Sequence, residues 1–110
     1  MNNKDYQVFQ LIKKHYNELC TEKNMISFGE FVETNVIYKA ILLDLLQIGE
    51  NVNKFSNQCK MKMNINDLRG VTGIRNRLVH GYGHIDREII WNTIKIDLPI
   101  FMNRLEEIFK

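Results

Sequence analysis

Apolar residues recur along most of this chain at steps of three and four, the spacing of one face of an α-helix. From about Asp5 to Lys23, Phe9, Ile12, Tyr16 and Leu19 keep that spacing. Lys13, Lys14, Asn17 and Glu18 fall on other faces and are expected in water, and Asn24 suits a stop. Ser27 and Glu30 have the spacing of a capping box for a short helical turn. Thr34 or Asn35 can cap a long second helix reaching about Ser56. Within it Ile41, Leu45, Ile48, Val52 and Phe55 form one strict stripe. Ile37, Tyr38, Leu42, Leu43 and Leu46 widen it, so this helix is expected to be buried on more than one side. Its polar residues Asp44, Gln47 and Asn51 share a different face. Gly49, just before Glu50, would let another helix approach closely.

Residues 56–66 are polar and carry methionines, the pattern of a loop. Residues 65–80 predict a third helical region, broken near Gly70 or Gly73, with Gly81 suited to a C-terminal cap. Asp86 can cap the last helix, which runs to about Phe109. Trp91, Ile94, Leu98, Phe101, Leu105 and Ile108 keep one face across Pro99, where a kink is expected. Trp91 on that stripe reads as packing. No strand pattern competes. The sum is an all-α chain of four or five helices with short loops, one domain over residues 1–110.

The chain has 110 residues, of which 45% are hydrophobic and 25% charged, which argues for a folded domain rather than disorder. The longest apolar run, Ala40 to Leu43, stops at Asp44, far short of the roughly 20 residues a membrane span needs. Met1-Asn2-Asn3-Lys4-Asp5 carries no apolar signal region, so export is not expected. Cys20 and Cys59 lack a metal-ligand spacing and are expected as reduced thiols in a cytoplasmic protein.

Charge changes this picture at one place. The whole chain carries a net +2, yet residues 60–87 hold six basic and two acidic residues, a net of +4. Inside that stretch lies Arg75-Asn76-Arg77-Leu78-Val79-His80-Gly81-Tyr82. Arginine offers a fixed fork of donors that matches a phosphate. Histidine can take or give a proton near neutrality. The pair suits phosphodiester cleavage without a metal, in which the 2′-hydroxyl of RNA is the internal nucleophile. On a helix, however, Arg75 and His80 lie about 140° apart in azimuth. Either the arginine curls round or a second copy of the chain completes the site. By spacing alone, an arginine and a histidine near a helix end also simply satisfy carbonyls and the helix dipole. His80 and His84 are four apart, but Gly81 and Gly83 interrupt that face and no further ligand completes a metal site.

The motif resembles the Arg-x4-His-x-Tyr motif of HepT-like toxins of the HEPN superfamily. Ile48-Gly49-Glu50 on the long helix, and Ile85-Asp86, Trp91 and Asp97-Leu98-Pro99 downstream, extend the resemblance from about residue 34 onward. It implies a HEPN-type up-and-down four-helix bundle with a short extra helix, forming a homodimer whose two motifs face one cleft. It implies the toxin of a type VII toxin–antitoxin module, a metal-independent ribonuclease without a cofactor. Arg75 and His80 would be catalytic, with Asn76 and Glu50 in support and Arg77 and Arg69 contacting RNA. The implied partner is an MNT-type nucleotidyltransferase that neutralises the toxin by adenylylating Tyr82. The rival reading is a non-catalytic helical module that grips a nucleotide or a partner's phosphate. A purely structural dimerisation domain is the third.

Overall fold

In the computed structural model, residues 2–33, 35–81 and 86–110 are described, and all regular structure among them is helical. The elements are α1 (Asn3–Asn24), α2 (Phe28–Glu33), α3 (Asn35–Asn53), α4 (Asn57–Lys62), α5 (Ile65–Gly81) and α6 (Arg87–Asn92). A π-helical turn (Thr93–Asp97) then runs into α7 (Leu98–Ile108). Four long rods result: α1, α3, α5, and the rod made of α6, the π turn and α7. This is the all-α bundle that the apolar spacing calls for.

Asn2 starts α1 by accepting the Asp5 backbone N–H at 2.7 Å. Asp5 is itself buried, at 1% exposure. Its carboxylate accepts the Ser56 backbone N–H at 2.8 Å and the Ser56 hydroxyl at 2.6 Å. Further along, His15 meets Asp44 at 3.2 Å. The start of α1 thus lies against the end of α3, and the two helices run antiparallel. Phe9, Ile12 and Leu19 from α1 pack with Ile41, Leu45, Ile48, Val52 and Phe55, all at 5% exposure or less.

Ser56 does not end α3, which stops at Asn53. It caps α4 instead, its hydroxyl accepting the Cys59 N–H at 3.1 Å. The expected loop over residues 56–66 therefore contains a helix, and the buried Cys59 and Met63 tie it to the core. The two arms of the expected capping box form, Ser27 N–H to Glu30 Oε1 and Glu30 N–H to Ser27 Oγ, each at 3.3 Å. Thr34 lies outside the described residues, and Asn35 opens α3 while accepting from Arg87 Nη2 at 2.7 Å. Arg87 also donates to the Phe31 and Val32 carbonyls, at 3.1 and 3.0 Å. It thereby closes the end of α2 and locks α2, α3 and α6 together.

The expected break at Gly70 or Gly73 does not occur, and α5 is continuous. Glycine costs a helix about 1 kcal/mol relative to alanine, which packing of the rest of the face outweighs. The irregularity near Pro99 lies upstream of it. Leu98 N–H donates to Thr93 O, five residues back, so the backbone is already widened before the proline. The widened turn takes up the clash that a proline causes inside an α-helix. Asp86 caps α6 as expected, accepting the Glu88 N–H at 2.8 Å. Trp91 packs against Phe28 and Phe31, with ring centroids at 5.8 and 5.0 Å. The two cysteines are unbridged. No helix among the described residues is long and apolar enough to cross a membrane.

Candidate active site on the α3–α5 face

α5 rests on α3 through Leu68, Val71, Ile74 and the buried Leu78, again at helical spacing. The approach is closest at Gly49. A Cβ built there would fall 2.7 Å from the Arg75 Cβ, so only glycine leaves room for α5 at this height. That contact sets the start of the Arg75 side chain beside the next residue, Glu50, which accepts from Arg75 Nε. Arg75 Nη1 donates to Asn76 Oδ1 at 3.0 Å. The guanidinium has five N–H donors. Among the described residues Nη2 makes no hydrogen bond, so one edge of the fork is free for an anion.

Glu50, Arg75 and Asn76 are therefore brought together. His80 is not joined to them. It lies exposed in the last turn of α5, and among the described residues no hydrogen bond links it to Arg75. Because α5 is unbroken, the azimuth difference of about 140° between the two residues stands. Arg69, Asn76 and His80 occupy one exposed stripe of α5, within about 40° of each other. Gly73 lies on the same stripe, with nothing within 4 Å of where its Cβ would be. Arg77 is also exposed, to one side of that stripe. Tyr82, the expected modification site, and His84 lie outside the described residues.

A separate cavity lies elsewhere. A groove of about 350 Å³ separates α5 from the C-terminal rod, floored by Ile48, Val71, Leu98 and Phe101. Arg104 and Asp67 pair at 2.7 Å at its edge. It holds none of the chemistry-bearing residues of the motif.

Sequence reasoning missed a second polar cluster between α1 and α3, made of His15, Glu18, Glu22 and Asp44. Asp44 and Asn51, expected on a separate polar face of α3, are buried against α1, at 6% and 3% exposure. The signal was present: His15, Glu18 and Glu22 share one face of a helix, and Asp44 interrupts the most apolar stretch of the chain. Burial, and then the Asp44 carboxylate beside it, push the Glu22 carboxyl up to about 7.

Residues 6–108 match the family described as Ribonuclease HepT-like. Among curated relatives, the chain is 31% identical to "Putative RNase TTE0752" of Caldanaerobacter subterraneus subsp. tengcongensis over 77% of this chain and 76% of that protein. It is 29% identical to "Putative RNase MJ0127" of Methanocaldococcus jannaschii over 100% of this chain and 92% of that one. To "Probable ribonuclease HepT" of Thermococcus cleftensis it is 25% identical, over 99% and 97%. No solved structure matches the chain significantly. With nearly its whole length inside the family match, the chain belongs to the HepT-like ribonuclease family.

Proposed function

We propose that this chain is the toxin of a type VII HEPN/MNT toxin–antitoxin module, a metal-independent endoribonuclease that works as a homodimer. The observation that carries the reading is the state of Arg75. It is anchored at Nε by Glu50 and at Nη1 by Asn76, while among the described residues its Nη2 makes no hydrogen bond. A pre-positioned guanidinium with a free edge is suited to the charge that builds on a phosphate in the transition state.

His80 is the proton acceptor in this reading. It takes the proton of the 2′-hydroxyl, the 2′-oxygen attacks phosphorus, and the P–O5′ bond breaks as the 5′-oxygen receives that proton back from His80. The products carry a 2′,3′-cyclic phosphate and a 5′-hydroxyl. Arg69 and Arg77 hold flanking phosphates on the exposed side of α5.

The separation of Arg75 from His80 on one helix supports a site shared by two chains. The surface of α3 supports such pairing. Val36 and Leu43 are exposed, at 76% and 58%, and stand seven residues apart, with Glu50 seven residues further on. Residues at that step share a face, so an apolar stripe leads directly to the Glu50–Arg75 pair. A second copy docked along it brings two Arg75 residues to one cleft. Control belongs to Tyr82: an MNT-type partner transfers AMP from ATP to its hydroxyl, releasing pyrophosphate. The bulky anion pairs with Arg75 or Arg77 and repels RNA.

The same separation also favours a second reading, a phosphate-gripping module in which His80 has no proton to move. Incubation with total RNA and tRNA in EDTA separates the two. Cleavage leaving 2′,3′-cyclic phosphate ends supports the ribonuclease, and retention of intact RNA on the protein supports the binder. Intact-mass analysis after co-expression with the nucleotidyltransferase tests the control step, with AMP expected on Tyr82.

A further inference from the structure

The cluster between α1 and α3 is not used by RNA cleavage. Asp44 lies about 140° around α3 from Gly49, the residue that touches Arg75. His15 Nδ1 is 3.2 Å from Asp44 Oδ1 and 3.7 Å from Glu18 Oε2. One ligand atom from each of the three residues falls within 4.8 Å of the others. Metal bonds of about 2.0–2.2 Å in a tetrahedral site hold neighbouring ligand atoms about 3.4 Å apart, so a small inward adjustment of Glu18 brings three ligands within reach of one ion. His15, Glu18 and Glu22 stand on one face of α1 and Asp44 comes from the facing helix. Metal sites inside helical bundles are built in that way, from facing helices and a carboxylate three residues from a histidine.

A second observation points to a missing cation. Glu22 Oε2 is shut off from solvent and has no hydrogen-bond partner among the described residues. It faces the Asp44 carboxylate, with Glu18 nearby. One imidazole cannot balance three clustered carboxylates, and a cation between them would offset their mutual repulsion. We propose that His15, Glu18 and Asp44, with Glu22 as a further carboxylate, bind a divalent transition-metal ion such as zinc, which fastens α1 to α3. The imidazole nitrogen favours such an ion over magnesium or calcium, which prefer oxygen alone. Its role is structural and stands apart from the ribonuclease reading.

Calorimetric titration of the chelator-treated full chain with zinc chloride tests this. One zinc per chain is expected, with affinity reduced at least tenfold in His15→Gln and in Asp44→Asn. His15→Gln keeps a polar group opposite Asp44, and its helical circular dichroism should match the parent. Zinc should raise the melting temperature of the parent and leave that of His15→Gln unchanged. His80→Ala should bind zinc as the parent does, because the pair His80 and His84 is not the site. No stoichiometric uptake, equal affinity in His15→Gln, or loss of binding only in His80→Ala would each overturn the proposal. None of these readouts is RNA cleavage, so either idea can fail while the other stands.

Discussion

Gly49 and Arg75 decide how α5 sits on α3. A Cβ at position 49 meets the Arg75 Cβ at a distance that real structures do not tolerate, and the neighbour is the inflexible start of a side chain. Gly49→Ala should therefore destabilise by about 1–3 kcal/mol, as overpacking does, and move Arg75 away from Glu50. Gly73 is the opposite case, with open space around it inside a regular helix. Gly73→Ala should stabilise by roughly 0.5–1 kcal/mol. Thermal melts of the two variants give opposite signs if the helix is continuous. A fall for Gly73→Ala would contradict it. The Ile48-Gly49-Glu50 triplet was legible as a close approach, because a glycine in a long apolar helix has few other uses. The partner that approaches was not legible, since nothing local in the chain says which helix comes there.

At the scale of elements, what could be read was spacing, and what could not was tertiary pairing. The apolar stripes of α1, α3 and the C-terminal rod face the core where the spacing put them, with Tyr16, Trp91 and Ile108 only partly buried at its edges. α4 escaped because six residues with two apolar positions carry no period. Its start depends on Ser56, whose meaning comes from Asp5, far away in sequence. That contact links α1 to the α3–α4 junction and makes it sensitive to acid. Burial works to raise the Asp5 pKa, but the Ser56 hydroxyl and N–H outweigh it, and the net shift is downward. A depressed carboxyl contributes stability above its unfolded value, here 3.8, and that contribution is lost as pH falls through the folded value. Melting temperature should fall more steeply below about pH 4 in the parent than in Asp5→Asn. At pH 7 Asp5→Asn should melt several degrees lower, since losing charge-assisted bonds costs about 1.5–3 kcal/mol. Identical pH profiles would show that the pair contributes nothing.

For the whole molecule, the open question is the second copy. Val36 and Leu43 extend in line with Glu50, so charge on that stripe should separate the chains without touching the core. Val36→Glu with Leu43→Glu should give a folded monomer by sedimentation, with RNA cleavage lowered by roughly 100-fold or more if the site needs two chains. A double variant that remains dimeric would place the interface elsewhere. The doubled apolar surface of α3 was legible as more than one core can use. Which residues stay exposed was not, because that depends on where α1 and α5 cover the helix.

In the proposed shared site, Arg75 of one chain and His80 of another act on one phosphate. Arg75→Ala and His80→Ala should each be inactive alone, with cleavage down by about 100-fold or more. The most direct test is to co-express the two variants with different tags and to assay the mixed dimer for RNA cleavage in EDTA. Each mixed dimer has one intact pair of groups and one pair lacking both, so its activity should return to about half of the parent's. Activity in either variant alone, or a mixed preparation that cuts no better than its parts, would contradict the account.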